Sequence, residues 1–186
     1  MSMHGSSQSL GSRTVRVRTH DCRLRLAGTC RHGGTSHSTG GQRITALLER
    51  GYAVSPTLAV LVDALEHTDI IVHVTECWLD DGAYSGDTQF VATAGGQRYL
   101  GIRLDVRLHD EAAIAMLGHE LQHAWEIASH PWVSDQMTLA ELYARIGYEN
   151  QRTLRSHAVE TTAARDTARH VLSELKAERR LLSSTD

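Results

Sequence analysis

One stretch of the sequence, from Asp110 to about Ser129, constrains the fold more than any other. It predicts a helix with one buried face, because its apolar residues recur at helical spacing and Asp110 can cap the N-terminus. The apolar residues are Ile114, Leu117, Leu121, Ala124 and Ala128. The same stretch contains His119-Glu120-Leu121-Gln122-His123, and histidines at positions i and i+4 lie on one face of a helix. Both imidazoles can therefore reach a single metal ion.

The sequence around this helix predicts further helices and a few strands. Apolar spacing predicts helices at about 44–51, 56–67, 134–146 and 151–182. Gly51 is suited to end the first helix, and Ser55 followed by Pro56 is suited to open the second. β-Branched and alternating apolar residues predict strands at 70–74, 89–94 and 98–108. We expect an α+β fold, a mostly helical domain over 42–182 with a small antiparallel sheet beside the histidine helix.

The N-terminal segment 1–41 differs from the remainder in composition. It is rich in Ser, Gly, Thr and Arg, and residues 1–43 carry seven arginines against one acid, although the whole chain has a net charge of −3. Such a segment buries too little apolar surface to offset its ordering entropy, so 1–41 is predicted to be disordered or to lie outside the domain. No apolar run is long enough for a transmembrane segment, and no secretory signal is visible.

The cysteines argue against a disulfide framework. There are three of them, Cys22, Cys30 and Cys77, an odd number without Cys-x-x-Cys spacing. This favours a reducing compartment, and therefore a cytoplasmic location. His20, Cys22, Cys30 and His32 carry side chains that bind metals, but their spacing matches no standard zinc pattern.

The histidine pair predicts a catalytic zinc site. Zinc in hydrolytic sites has three protein ligands and keeps a fourth position for water, whose pKa it lowers toward about 7. We therefore predict one Zn²⁺ per chain, with His119 and His123 as ligands. Glu120 is turned by about 100° from His119 on a helix, which places it beside the metal and its water. It is the predicted general base for attack of water on a polarised carbonyl.

The residues alone leave the third ligand open. Metzincins have a third histidine six residues after His123, and this chain does not. The downstream candidates are Asp135, Glu141, Glu149, Glu160, His130 and His157. Glu160 is favoured because it is predicted to lie within the last helix, where geometry is rigid. Small residues that allow close helix packing lie beside it, at Ala163, Ala164 and Ala168.

Two segments, LGHELQHAWEIA and HAVETTAARDTARHV, resemble the gluzincin metallopeptidases, especially small minimal bacterial members. The segments SPTLAVLVDALEHTDIIVHV and GGQRYLGIRL are also similar to a bacterial family of unassigned activity, and the resemblance covers about residues 42–180. It implies a zincin-like fold, Glu160 as the third zinc ligand, and hydrolysis of peptide or protein substrates. One departure concerns gluzincins in which an aspartate four residues after the ligand glutamate orients one of the histidines. This chain has Ala164 there, which leaves the orientation of one histidine unaccounted for.

Two other functions stay open at the level of sequence. Peptide deformylases combine the same histidine motif with an upstream cysteine ligand, which here would be Cys77 in TECWLD. A non-catalytic protein could instead keep the zinc ion in a structural or regulatory role. The donor that stabilises the transition state is undecided among Tyr143, Tyr148 and His157. Because the last helix mixes charges of both signs, no nucleic-acid partner is expected.

Overall fold

The computed structural model describes residues 17–19, 39–79, 85–149 and 159–184. The helices of this part are α1 (Thr39–Val54), α2 (Pro56–Glu66), α3 (Asp110–Ala128), α4 (Gln136–Ile146) and α5 (Thr162–Ser183). The strands are β1 (Val17–Thr19), β2 (Ile70–Cys77), β3 (Gly86–Ala94), β4 (Gln97–Asp105), β5 (Tyr148–Glu149) and β6 (Val159–Glu160). The predicted α+β class with a large helical share is confirmed.

The N-terminal segment contributes one short element to the described structure. Strand β1 lies within 1–41, and α1 begins three residues before the predicted start of the domain. Residues 1–16 and 20–38 lie outside the described residues, so disorder of this segment stays a prediction. The alternative metal site of His20, Cys22, Cys30 and His32 also lies outside them. None of the helices in the described ranges is long and apolar enough to cross a membrane.

Local sequence accounts for where the helices begin. Ser55 caps α2 and Pro56 occupies its first helical position, as predicted, while Asp135 caps α4. Helix α3 is capped by His109, and the prediction that Asp110 caps it is wrong by one residue. Asp110 lies in the first turn of α3 instead, where a negative charge favours the helix dipole.

Helix α1 is longer than predicted, because Gly51 does not end it. The helix continues to Val54. A Cβ atom on Gly51 would lie 2.5 Å from Cδ2 of Leu58 and 2.8 Å from Cγ2 of Ile114. The glycine is therefore required for the close approach of α1 to α2 and α3 and does not serve as a stop signal.

The main sheet is mixed, which corrects the expectation of an antiparallel sheet. Its strand order is β1-β2-β4-β3. Strands β3 and β4 form the predicted antiparallel hairpin, with Gly95 and Gly96 at φ values of 60° and 76°. Strand β2 is parallel to β4, however, with Val72 opposite Leu100. The hairpin inserts β4 next to β2 and leaves β3 at the edge of the described sheet.

Helix α3 is central to the core. It contacts β2, β3 and β4 of the sheet, and also α1, α2 and α5. Large side chains from β4 and α3 are fully buried between these elements, namely Leu100, Ile102, Leu104, Ile114, Leu117 and Leu121. The approach of α5 depends on Gly118, where a Cβ atom would lie 3.0 Å from Cγ2 of Val171. The histidine-bearing turn of α3 is thus placed directly against the N-terminal half of α5.

The C-terminal end of α3 is held by Arg98 of β4. The guanidinium is 4% exposed and forms a two-bond ion pair with Asp69, at 2.7 Å for each bond. It also donates to four backbone carbonyls at or just after the end of α3, those of Ile127, Ala128, His130 and Val133, at 2.9–3.3 Å. The carbonyls of Ile127 and His130 also accept backbone N–H bonds, from His130 and Val133. Arg98 adds a donor to each of the four carbonyls and so fixes the end of α3 against the sheet.

Candidate metal centre

Three side chains that can bind a metal lie together beside α3. His119 and His123 come from consecutive turns of α3, and Glu160 comes from β6. Oε1 of Glu160 lies 3.4 Å from Nε2 of His119 and 4.0 Å from Nε2 of His123. The three ligand atoms all lie within 4.8 Å of one another. Tetrahedral zinc with bonds of about 2.0–2.1 Å separates its ligand atoms by about 3.3 Å, so the group fits such an ion.

The position of Glu160 differs from the prediction. It was expected within a helix at 151–182, but α5 begins only at Thr162, and Glu160 lies in β6. Strand β6 pairs with β5 in an antiparallel ladder, and residues 150–158 between them lie outside the described residues. The backbone N–H of Thr161 donates to Oε1 of Glu160 at 3.0 Å. The carboxylate is therefore held by the start of α5 and not by the middle of a helix.

The carboxyl of Glu120 contacts the edge strand β3. The hydroxyl of Thr88 donates to its Oε2 at 2.7 Å. A Cβ atom on Gly86 would lie 2.8 Å from its Oε1, so glycine leaves room for the carboxylate. Burial raises the pKa of Glu120 to about 7, against the opposing effects of the charge of His123 and the bond from Thr88. A carboxyl with such a pKa is suited to accept and release a proton near neutral pH.

The two histidines differ in their surroundings. The pKa of His119 is lowered to about 4, mainly by burial and also by the nearby charge of His123, while a hydrogen bond with the backbone of Ala164 opposes both. His119 is therefore neutral at pH 7 and has a lone pair for a metal. Ala164 stands where the resemblance implies an orienting aspartate, so a backbone group contacts this ring instead. Burial opposes protonation of His123, yet its bond with Glu126 and the nearby carboxylates raise its pKa.

Glu126 is a residue of the site that the sequence analysis missed. It is 9% exposed, and its Oε2 lies 2.9 Å from Nδ1 of His123. Its Oε1 accepts a hydrogen bond from the hydroxyl of Thr161 at 2.7 Å. Glu126 follows His123 by three residues, a spacing that places both side chains on one helix face. That spacing is the signal by which it could have been found.

Tyr143 places a phenol beside the candidate metal ligands. Its ring packs edge-on against His123, with the ring centroids 5.3 Å apart. Within the described ranges, its hydroxyl is the one buried side-chain nitrogen or oxygen atom without a hydrogen-bond partner. Burial and the charges of Glu126, Glu120 and Glu160 raise the pKa of Tyr143 well above its ordinary value, so the phenol is protonated and can donate. Tyr148 is described only in its backbone, and His157 lies outside the described residues.

The other candidate ligands whose side chains the structure describes do not join this group. Cys77 is buried at the end of β2 and is not part of the metal-binding cluster formed by described residues. Asp135 caps α4, and Nδ1 of His130 lies 2.7 Å from the backbone carbonyl of Glu126. Of the ligand candidates whose side chains the structure describes, Glu160 is the one that lies with the two histidines.

Comparisons with known proteins give no match. No protein-family model matches the chain, and neither a curated protein nor a solved structure does. The resemblance to gluzincins therefore stays a prediction, and the functional argument depends on the geometry of the site.

Proposed function

We propose that this protein is a zinc-dependent hydrolase that cleaves amide bonds in peptides or proteins. The observation that carries the proposal is the convergence of His119, His123 and Glu160, with a separate buried carboxyl, Glu120, next to His119 on α3. Three protein ligands leave a zinc ion with an open coordination position, whereas structural zinc sites are normally closed by four. The described residues add no fourth ligand to this group.

The chemistry follows from the roles these residues can take. Zinc bound by the three ligands would supply a nucleophile at neutral pH and polarise a substrate carbonyl. Glu120 accepts a proton at a carboxylate oxygen as water attacks the carbonyl carbon, and then delivers it to the leaving nitrogen. Thr88 keeps the carboxylate in place through its 2.7 Å hydrogen bond.

Tyr143 is the proposed donor to the reacting carbonyl oxygen. Its buried hydroxyl has no partner among described residues, which costs about 1–3 kcal/mol unless a ligand or water satisfies it. A phenol beside His123 that stays protonated can donate to the negative charge that develops on that oxygen. Of the three donors that the sequence suggested, Tyr143 is the one whose side chain is described.

The edge strand supports an extended peptide as substrate. Strand β3 forms the outer edge of the described sheet, and its residues Gly86 and Thr88 contact Glu120. An exposed sheet edge can pair with an extended chain through main-chain hydrogen bonds. A peptide bound there would pass directly beside the proposed base.

Cleavage of a random peptide library by the zinc-loaded protein tests this proposal, with products followed by mass spectrometry. Glu120→Gln should lower kcat on the order of 10²–10⁴-fold, because the proton acceptor is lost. Glu141→Gln is the matched control, since Glu141 is exposed on α4 and should leave kcat unchanged. An active Glu120→Gln protein would contradict the proposed role of this residue. A wild-type protein that binds zinc but cleaves none of the peptides would favour a structural or regulatory zinc site.

A further inference from the structure

We propose that Glu126 and Thr161 are positioning residues, a hydrogen-bonded pair that orients His123 and ties it to the segment with the third ligand. The inference rests on the proposed function, because it assumes that His123 binds a metal. It is carried by two contacts: Glu126 Oε2 to His123 Nδ1 at 2.9 Å, and Thr161 Oγ1 to Glu126 Oε1 at 2.7 Å. Each oxygen of the carboxylate therefore has its own partner.

The contact with Glu126 selects one tautomer of His123. A carboxylate oxygen can only accept a hydrogen bond, so Nδ1 of His123 carries the proton. Nε2 then keeps its lone pair, and Nε2 is the atom that lies 4.0 Å from Oε1 of Glu160 in the ligand group. A carboxylate behind a ligating imidazole also makes that imidazole a stronger metal donor.

Thr161 joins the two sides of the site. Its hydroxyl has a single proton, which it gives to Glu126, and it accepts a hydrogen bond from the backbone N–H of Ala164 at 3.1 Å as the N-cap of α5. Its own backbone N–H donates to Oε1 of Glu160. Thr161 is 3% exposed, so water does not replace these bonds readily. Thr161 thus contacts both Glu160, the proposed third ligand, and Glu126, the partner of His123.

The same segment also contacts His119, through the hydrogen bond of its ring with the backbone of Ala164. Residues 160–164 therefore interact with the whole ligand set. If the pair only filled space in the core, its loss would destabilise the metal-free fold and leave zinc affinity unchanged. If it positions His123, zinc affinity falls by more than the stability of the metal-free protein accounts for.

The experiment measures zinc affinity by competition with a chromophoric chelator at pH 7.5, alongside urea unfolding of the metal-free proteins. Glu126→Gln and Thr161→Ala should each weaken zinc binding by about 10–100-fold. Thr161→Ser keeps the hydroxyl and the cap, so it should bind zinc within about 2-fold of wild type. Asp135→Ala removes the exposed N-cap of α4 and is the control for loss of a cap distant in sequence from the ligands. It should lower stability while zinc affinity is retained.

The double variant Glu126→Gln/Thr161→Ala should lose no more affinity than about the larger single loss, because both changes break one chain of contacts. Long-range ¹H–¹⁵N spectra of the zinc-loaded wild type should show His123 protonated at Nδ1. Unchanged zinc affinity in both single variants would contradict the positioning role of Glu126 and Thr161 but would leave the proposed metal site intact. A wild type that binds no zinc would overturn the pair and the proposed function together. If Thr161→Ala does not fold, Glu126→Gln and Thr161→Ser still decide the matter.

Discussion

Buried polar groups contact helix α3 at its C-terminal end and at the segment that carries His119 and His123. The two places differ in whether these groups have hydrogen-bond partners within the protein. At the C-terminal end, Arg98 is paired with Asp69 and four backbone carbonyls. At the metal centre, two imidazole nitrogens and a carboxylate oxygen converge, and Tyr143 has a buried hydroxyl without a partner in the described residues. The first place is satisfied by the protein alone, whereas the second is the proposed site of a ligand. We therefore expect the contacts of Arg98 to stabilise the metal-free fold and the polar groups of the candidate metal centre to destabilise it.

The largest effect on folding is expected from Arg98→Met. Removal of the guanidinium takes a donor from four backbone carbonyls, of which those of Ile127 and His130 keep a backbone donor, and it breaks the ion pair with Asp69. The expected cost is about 3–5 kcal/mol in the free energy of unfolding. Urea unfolding of the metal-free protein measures it. Arg103→Met on the same strand is the control, because Arg103, which pairs with Asp87, is more exposed than Arg98, with 23% of its side chain accessible against 4%. Its loss should cost at most about 1 kcal/mol. Equal effects of the two substitutions would remove the special role of Arg98.

Glu120→Gln, at the candidate metal centre, is expected to raise the free energy of unfolding of the metal-free protein, whereas Arg98→Met lowers it. Burial raises the pKa of Glu120 from 4.5 to about 7, so this carboxyl stabilises the fold below pH 4.5 and loses that contribution as the pH rises through 7. The difference between these pKa values corresponds to about 3 kcal/mol. Glu120→Gln should therefore be more stable than wild type at pH 8 by up to about this amount, with the gain absent at pH 4. Urea midpoints at the two pH values measure it, and a gain independent of pH would contradict the assignment.

A smaller effect is expected from removal of the unpaired hydroxyl. Tyr143→Phe should stabilise the metal-free protein by about 1 kcal/mol, because a buried group without a partner is removed. Tyr52→Phe is the matched control, since the hydroxyl of Tyr52 donates to Asp63 at 2.8 Å and its loss should destabilise by about 1 kcal/mol.

Rates of peptide hydrolysis by Tyr143→Phe and Tyr52→Phe distinguish an effect on catalysis from an effect on stability. Tyr143→Phe should lower kcat on the order of 10²-fold, because it removes the proposed donor to the reacting oxygen. Tyr52→Phe should leave kcat unchanged. If Tyr143→Phe is destabilised and fully active, its hydroxyl is paired in solution and takes no part in the reaction.

Helix α3 could be predicted from the sequence because its determinants are local. Apolar spacing defines it within two residues at either end, and the spacing of His119 and His123 places both rings on one face. The cap differed by one residue, because His109 accepts the bond that Asp110 was expected to accept. The prediction that Gly51 ends α1 is wrong, because the side chains that require a glycine there, Leu58 and Ile114, come from other helices.

Strand pairings and side-chain contacts between residues far apart in the sequence could not be predicted from local patterns. The parallel pairing of β2 with β4 depends on where the hairpin inserts, which no local pattern encodes. Glu160 does not have the helical position predicted for it; it lies in β6 and is held by the backbone N–H of Thr161, the N-cap of α5. The contact of His119 with Ala164 uses a backbone group, which has no signature in the sequence. Glu126 had a spacing signal, but its bond to Thr161 joins residues 35 positions apart.

Zinc titration of metal-stripped protein tests the central claim most directly, with wild type, Glu160→Ala and Cys77→Ala compared at a limiting free zinc concentration. The account predicts one zinc ion per wild-type chain, a loss of affinity of at least about 10-fold in Glu160→Ala, and unchanged affinity in Cys77→Ala. A wild-type chain that binds no zinc would contradict the account. A loss in Cys77→Ala with none in Glu160→Ala would also contradict it and would favour a deformylase-like ligand set.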